Sequence, residues 1–362
     1  MILWGMRRAP LLAAACLAAC LCLTSCYEIS EGLTYLSIRS RSESLERAIA
    51  DPKSSPELKL LCERAKSARE FALERFGLKQ TRNYTSVVIL DSDRLATVVQ
   101  ACAELSFTRY LWSYPVVGKM PYRGYFDPKD AERQAASLRK QGLDVIARPV
   151  DAFSTLGWLS DPLFSFMSTY GEAEVADLVM HEMTHATVFL KGDRPGNEQF
   201  NEELATFVGD EGSLVYLADR YGPESPQVAK AKADRADEEA FASYLAGTGK
   251  ELEAVYSSQT SDEDKRARKA GIIAERAKEY AAEAPSLFQG KGYREFDMSK
   301  INNAYIDLYR LYQGETSLYR DFYEKICGSD MKAFVRKVSL IASGKGDPKT
   351  EMRRLLGSDA GR

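Results

Sequence analysis

The chain has 362 residues, of which 45% are hydrophobic and 28% are charged, and its formal net charge is −3. This composition is ordinary for a globular protein and allows one large domain or two smaller ones. Because the charge is slightly negative and the longest basic runs are short and mixed, we exclude a typical basic nucleic-acid-binding protein and expect no nucleic-acid partner.

The amino terminus predicts an export signal. Arg7 and Arg8 precede an apolar run from Ala9 to Leu23, which is too short to span a bilayer comfortably. A positive start followed by a short apolar run is typical of a signal peptide, which we assign to residues 1–25. An uncleaved anchor and a plain cleaved signal are the alternatives.

Cys26 is predicted to carry lipid. The run Leu23-Thr24-Ser25-Cys26 resembles a bacterial lipobox, in which the cysteine becomes the first residue of the mature chain. Acyl chains on Cys26 would anchor the protein to a membrane. The next residue is Tyr27 and not Asp, which favours the periplasmic face of the outer membrane in the bacterial cell envelope.

The remaining cysteines do not predict a disulfide framework. Cys62, Cys102 and Cys327 are widely spaced, and three cysteines allow at most one bridge. We expect them to be small buried apolar residues.

The predicted elements begin with helices and continue with strands. Apolar residues recur every three or four positions from Leu45 to Ala72, and Gly77 ends this pattern, so residues 27–80 are predicted to form a helical scaffold. Period-two patterns and turn residues then predict strands over residues 84–90, 110–117, 122–126 and 144–150, with a helix over residues 131–141. These elements predict one small, mostly antiparallel sheet and an α+β class.

The rest of the chain is predicted to be helical. One long helix covers residues 172–190, and a second covers residues 198–221 after a turn-rich loop. Residues 225–284 predict a helical hairpin with a cap at Ser261. Further helices follow at residues 301–312 and 329–342, and the residues after Gly344 are expected to be loose. The hairpin is expected to form a wall over the functional cleft or a partner surface.

The segment His181-Glu182-Met183-Thr184-His185 predicts a zinc site. Residues four apart share one helix face, so His181 and His185 can each direct a ring nitrogen at the same metal ion. The chain has only two histidines, so neither a third histidine ligand nor a histidine base for a serine or cysteine nucleophile is available. Two histidines beside an accidental glutamate are the simpler alternative.

The other roles at this site fall on carboxylates and tyrosines. Glu202, seventeen residues after His185, is the candidate third ligand on the next helix, and Glu182 is the candidate general base. Asp177 and Asp210 are candidate acceptors for the second ring nitrogens of the histidines. Tyr312 and Tyr309 are candidate donors to the transition state, although packing of an aromatic helix face explains either tyrosine equally well.

With these motifs, the chain resembles a bacterial family of predicted zinc aminopeptidases that are usually lipoproteins. The resemblance extends from the lipobox to about Val338. The segments that carry it are Pro121-Tyr122-Arg123-Gly124-Tyr125-Phe126, Ser154-Thr155-Leu156-Gly157-Trp158 with Asp161-Pro162, the segment from His181 to His185, Phe200-Asn201-Glu202 with Ala205-Thr206, and Asn302-Asn303-Ala304 with Tyr312.

The resemblance implies a gluzincin-like zincin fold with one zinc ion. It implies His181, His185 and Glu202 as ligands and Glu182 as catalytic base. The spacing before Glu202 is slightly shorter than in better-known gluzincins, so Glu203 stays open as a weaker ligand candidate. The Gly-x-Met-Glu-Asn segment that binds the substrate amine in other zinc aminopeptidases is absent from the sequence; the segment 154–158 and Arg123 are candidate substrate contacts.

These observations together predict a membrane-anchored zinc peptidase. Residues 26–362 are expected to form one metallopeptidase domain, with the sheet and zinc-site core over residues 84–222 and a helical region over residues 225–345. The expected activity is aminopeptidase action on short peptides. A zinc endopeptidase acting on envelope proteins and a non-catalytic, zinc-stabilised lipoprotein are the alternatives.

Overall fold

The computed structural model describes residues 27, 30–114, 118–150, 160–191, 196–312 and 316–359, with side chains at all of these except 310–312 and 358–359. The predicted signal peptide, the lipidation site Cys26 and the segment 154–158 lie outside the described residues. Among the helices that are described, none is long and apolar enough to span a bilayer.

The described residues are mainly helical and form three small sheets, which confirms the predicted α+β class. The helices are α1 (residues 30–40), α2 (Leu45–Ala50), α3 (Pro56–Phe71), α4 (Pro128–Lys140), α5 (Glu172–Thr187), α6 (Asn197–Tyr221), α7 (Pro226–Tyr256), α8 (Asp262–Leu287), α9 (Lys291–Arg294), α10 (Asn303–Tyr312), α11 (Thr316–Asp321), α12 (Met331–Ala342) and α13 (Pro348–Asp359). The strands are β1 (Glu43–Ser44), β2 (Ser86–Val88), β3 (Ala96–Ala103), β4 (Trp112–Tyr114), β5 (Gly118–Met120), β6 (Tyr122–Tyr125), β7 (Leu143–Val150) and β8 (Leu163–Phe164).

The prediction of a single sheet was wrong. Strand β2 lies between β1 and β8 in one sheet, β4 and β5 form a hairpin, and β3 is the centre of an antiparallel sheet with β6 and β7. Strand β3 was not predicted, because all but one of its residues are buried and such a strand shows no alternation of apolar and polar residues. Helix α4 packs against this second sheet.

Helices α5 and α6 cross the largest hydrophobic core side by side. On α5 the side chains of Val175, Val179 and Met183 are fully buried in this core, whereas Asp177, His181 and His185 are partly exposed. Helix α5 ends at Thr187, before the predicted end at Leu190, because Val188 adopts an extended backbone conformation. Helix α6 follows its prediction closely.

The helical hairpin of α7 and α8 is confirmed, with Ser261 as the amino-terminal cap of α8. It packs with α10 around a second core that is rich in aromatic side chains. Cys62, Cys102 and Cys327 are buried and free, as predicted.

The prediction of a loose tail after Gly344 was wrong. The tail forms α13, where Pro348 occupies the first helical position and the Asp347 carboxylate accepts a hydrogen bond from the backbone N–H of Thr350. Met352 on this helix is fully buried in the largest core.

Candidate metal centre

Three side chains with metal-ligating atoms lie together where α5 meets the first turns of α6. The Nε2 atoms of His181 and His185 are 3.1 Å apart. The Glu202 carboxylate lies 3.7 Å from Nε2 of His181 and 3.5 Å from Nε2 of His185. Among the described residues, this is the one group of at least three His, Cys, Asp or Glu side chains close enough to share a metal ion. Ligand atoms around a tetrahedral zinc ion are about 3.3 Å apart, so the three donors fit this metal.

The pKa values of the two histidines are shifted in opposite directions. Burial lowers the pKa of His185 to about 4, and the neighbouring His181 acts in the same direction, so His185 is neutral at pH 7. Burial also opposes a charge on His181, but the Glu202 carboxylate and the charges of Glu182 and Asp177 raise its pKa. Burial opposes the charge of Glu202 as well, yet the His181 imidazole holds its pKa below the usual range. A neutral imidazole and an ionised carboxylate are the forms that bind a divalent metal.

Glu182 lies beside these donors, on the same helix as both histidines. Burial raises its pKa, the neighbouring His181 lowers it, and the charges of Asp161 and Glu202 raise it further. A carboxylate whose pKa is raised binds a proton more readily than an exposed one and can later return it. Its environment therefore suits the role predicted for it.

Tyr84 and Asp161 belong to this neighbourhood and were not predicted as site residues. The backbone N–H of Tyr84 donates to the carbonyl of Asp161 over 2.7 Å, and the Asp161 carboxylate accepts from Tyr35 over 2.5 Å. Tyr84 is buried, and its backbone has φ of 53°, which is rare for a residue with a side chain. Burial raises the pKa of Tyr84 most, followed by the charge of Glu182. Asp161 belongs to one of the segments that carry the family resemblance, but no sequence signal links it to Tyr84, since only the fold brings positions 84 and 161 together.

A cavity of about 350 Å³ is lined by both helices and by the first half of α7. Its acidic side chains include Asp177, Asp210 and Glu238. Asp177 lies one helical turn before His181 on α5, and neither histidine, Glu182 nor Glu202 is among the lining residues. Burial raises the pKa of Asp177, and the Asp210 charge raises it further. The Arg235 guanidinium, which also lines the cavity, is paired with Glu211 at 3.0 Å.

Close packing of α5 on α6 holds Asp177 in place. A Cβ atom at Gly209 would lie 2.0 Å from Oδ1 of Asp177, so a larger residue at this position would displace the carboxylate. The charge of Asp177 raises the pKa of His181, and the role of Asp177 as a hydrogen-bond acceptor for that histidine stays a prediction. For His185, Nδ1 is buried and has no hydrogen-bond partner among the described residues, so neither Asp177 nor Asp210 takes that role.

The remaining predicted residues lie elsewhere or outside the described side chains. Glu203 faces away from the histidines and pairs with Lys349 at 2.8 Å, so it is not a ligand in this arrangement. Tyr309 packs against Phe241 in the second core, which agrees with the packing alternative. The side chain of Tyr312 lies outside the described residues, and its role stays a prediction.

The side chain of Arg123 packs against Tyr27 in the amino-terminal segment. Its guanidinium carbon lies 3.5 Å from the centre of the Tyr27 ring, in a cation–π contact. The same arginine also lies near the ring of Tyr125. Arg123 therefore has a packing role against these two rings, and its contact with substrate stays a prediction.

Comparison with known proteins identifies the family. A family model described as "Putative aminopeptidase" matches residues 27–354. No curated protein and no solved structure matches the chain. The match covers most of the sequence, and the chain belongs to this family.

Proposed function

We propose that the protein is a zinc-dependent peptidase. The observation that carries this proposal is the group of His181, His185 and Glu202, whose donor separations of 3.1 to 3.7 Å suit a single ion. Three protein ligands leave a fourth position for water, which is typical of catalytic and not of structural zinc. A gluzincin-like zincin fold is part of the same proposal, because α5 presents both histidines and α6 the carboxylate.

The residues around the metal divide the chemical work. Bound zinc would lower the pKa of a coordinated water and polarise the peptide carbonyl. Glu182 would accept the proton of a water held there and return it to the leaving amine. His181, His185 and Glu202 would hold the ion.

We favour aminopeptidase action over endopeptidase action. The family description names this activity, and an aminopeptidase must bind the positively charged amino group of its substrate. The carboxylates of Asp177, Asp210 and Glu238 line the cavity that starts one helical turn from His181, and its acidic side chains outnumber Lys230 and Arg235, which suits that charge. A non-catalytic zinc protein is less favoured, since a structural site has no use for the base Glu182.

We also propose a location in the bacterial cell envelope. The sequence pattern around Cys26 supports lipidation, with the outer membrane facing the periplasm as the favoured place. The substrates would then be short peptides in that compartment. Metabolic labelling with a palmitate analogue should mark the wild type and not Cys26→Ala; label on both proteins contradicts this part of the proposal.

The peptidase proposal is tested with reporter peptides. The lipid-free mature chain, loaded with one equivalent of zinc, should cleave amino-acyl reporters that have a free amino group. Peptides with a blocked amino group should resist cleavage. Cleavage of blocked peptides would support the endopeptidase, and tight zinc binding without any cleavage would support the non-catalytic protein.

Glu182→Gln separates metal binding from chemistry. The amide has nearly the same size but cannot accept the proton, so zinc should stay bound while turnover falls about 10²- to 10⁴-fold. Zinc content measured by atomic absorption and turnover measured on the same sample check both parts. Turnover equal to that of the wild type would show that Glu182 is not the base.

A further inference from the structure

Glu202 and Glu203 are neighbours on α6 with opposite environments. The Glu202 side chain is 43% exposed, whereas that of Glu203 is 2% exposed. Consecutive residues on a helix point about 100° apart, so one carboxylate faces the histidines while the other enters the core. A charged side chain is rarely this buried without partners.

The buried Glu203 carboxylate is held from three directions. Its Oε2 accepts hydrogen bonds from Lys349 Nζ at 2.8 Å and from the Tyr319 hydroxyl at 3.1 Å. Its Oε1 accepts one from Gln199 Nε2 at 2.8 Å. Tyr319 belongs to α11 and Lys349 to α13, so two carboxyl-terminal helices meet the turn of α6 that carries Glu202.

The same turn is attached to α5 through Asn201. The Asn201 side chain accepts from the backbone N–H of Leu190 over 2.8 Å and donates to the carbonyl of Leu190 over 3.1 Å. Leu190 lies just beyond the end of the helix that carries both histidines. The residue on each side of Glu202 is therefore fixed to a different part of the fold.

We infer that Glu203 and Lys349 are positioning residues that hold Glu202 in the geometry required for metal binding. Their buried ion pair sets the rotation of the first turns of α6, and Asn201 sets the distance of this turn from α5. The carboxyl-terminal helix α13 thereby belongs to the metal centre, although none of its side chains lies among the metal-ligating group. The inference rests on the proposed function for the metal ion that Glu202 would bind. The way in which Glu203, Lys349 and Asn201 hold this turn rests on the hydrogen bonds and the ion pair described above.

Lys349→Met tests this inference, with Lys345→Met as its matched control. Lys345 is exposed and lies four residues earlier, so the control removes the same charge close by without touching Glu203. Supporting side chains behind a metal ligand typically change metal affinity about 10- to 100-fold, and we expect a loss in this range for Lys349→Met. The control should bind zinc like the wild type, and Lys349→Arg, which keeps the charge, should recover most of the affinity. Competition with a chromophoric chelator measures all four proteins.

A second readout does not depend on zinc. Hydrogen exchange of metal-free protein should become faster in residues 197–204 for Lys349→Met and for Glu203→Gln, and stay unchanged for Lys345→Met. Unchanged exchange in this segment would overturn the inference, and so would wild-type zinc affinity in Lys349→Met. If the wild type itself binds no zinc while exchange responds as expected, the metal proposal fails and the mechanical coupling stands.

Discussion

Two regions of the molecule differ in the hydrogen bonding of their buried polar groups. One is the pair of helices α5 and α6, here called the site pair, and the other is the aromatic cluster formed by α7, α8 and α10. In the aromatic cluster the buried tyrosine hydroxyls have protein acceptors: Tyr280 donates to the carbonyl of Tyr293 over 2.6 Å, and Tyr256 donates to Asn303 over 2.7 Å. In the site pair, Nδ1 of His185 is buried without a partner among the described residues. Polar groups left unsatisfied in a folded protein mark places where something other than stability shaped the sequence.

Carboxylates show the same difference between the two regions. Asp144 forms an ion pair with Lys269 of α8, in the aromatic cluster, at 2.5 Å, so a neighbouring positive charge compensates its negative charge. In the site pair, burial and neighbouring negative charge hold the pKa values of Asp177 and Asp210 above their usual range. Shifted carboxylates that gather in a cleft are typical of functional sites. The aromatic cluster therefore stabilises the fold, and the site pair retains the reactive groups.

The strongest test of this division is His185→Ala. Without His185 the proposed metal centre would lack one of its three ligands, and we expect turnover to fall at least about 10⁴-fold, a small part of the acceleration that enzymes commonly reach. The free energy of unfolding of the metal-free protein should change by about 1 kcal/mol or less, because the substitution also removes a buried Nδ1 that has no partner among the described residues. Peptide turnover and urea denaturation measure the two effects. A loss of several kcal/mol would show that His185 is a structural residue.

Phe241→Ala is the opposite test, in the aromatic cluster. Phe241 is 1% exposed and its ring contacts several other aromatic rings, including those of Tyr280 and Phe296. Deleting a buried phenyl ring costs about 3 to 5 kcal/mol of unfolding free energy. Zinc affinity of the folded fraction should not change. Urea denaturation and chelator competition provide the two values, and weakened zinc binding would break the division between the regions.

The sequence predicted the site pair well, because its signals are local. The two histidines are four residues apart, and both helices have clear apolar faces and turn-rich ends. The choice between Glu202 and Glu203 as the candidate third ligand needed the structure, because the sequence spacing is compatible with either residue. Only the rotation of α6 distinguishes them, since it directs Glu202 toward the histidines and Glu203 into the core.

Features that depend on distant contacts could not be predicted. Strand β3 was missed because it is buried on both faces, and Tyr84 meets Asp161 only in the fold. Helix α13 has a local signal in Asp347-Pro348, but its sequence is largely polar, and its stability depends on the burial of Met352 and the pairing of Lys349. Secondary structure that tertiary contacts stabilise leaves a weak pattern in the sequence.

Asp210→Asn tests the charge stored in the site pair. The pKa of Asp210 is higher in the folded protein than in the unfolded protein. Between these two pKa values the folded protein keeps a proton that the unfolded protein has released. Asp210 therefore lowers the stability of the wild type as the pH rises from about 4 through the raised pKa. Asn cannot lose a proton and escapes this loss. At pH 8 the metal-free variant should be more stable than the wild type by about 1 to 2 kcal/mol, and the gap should close at pH 4. Urea denaturation at both pH values checks the sign; a variant that is less stable at pH 8 would show that Asp210 is compensated by Arg235.

The smallest expected effects come from replacing two serines that cap helices by alanine, one at the start of α8 and one at the start of α7. Ser261 accepts a hydrogen bond from the N–H of Asp264 at the start of α8, and Ser225 accepts one from Val228 at the start of α7. Each change to alanine should cost about 0.5 to 1 kcal/mol in thermal or urea unfolding.

Their effects on catalysis should differ, because the first turns of α7 line the acidic cavity through Lys230 and Ala231, whereas α8 does not line it. Fraying of α7 should therefore raise KM for peptides with a free amino group in Ser225→Ala at unchanged zinc affinity. Ser261→Ala should keep the KM of the wild type, because its helix belongs to the aromatic cluster alone. An equal rise in KM for both variants would mean that the hairpin responds as one unit and that the boundary between cleft and scaffold lies outside α7.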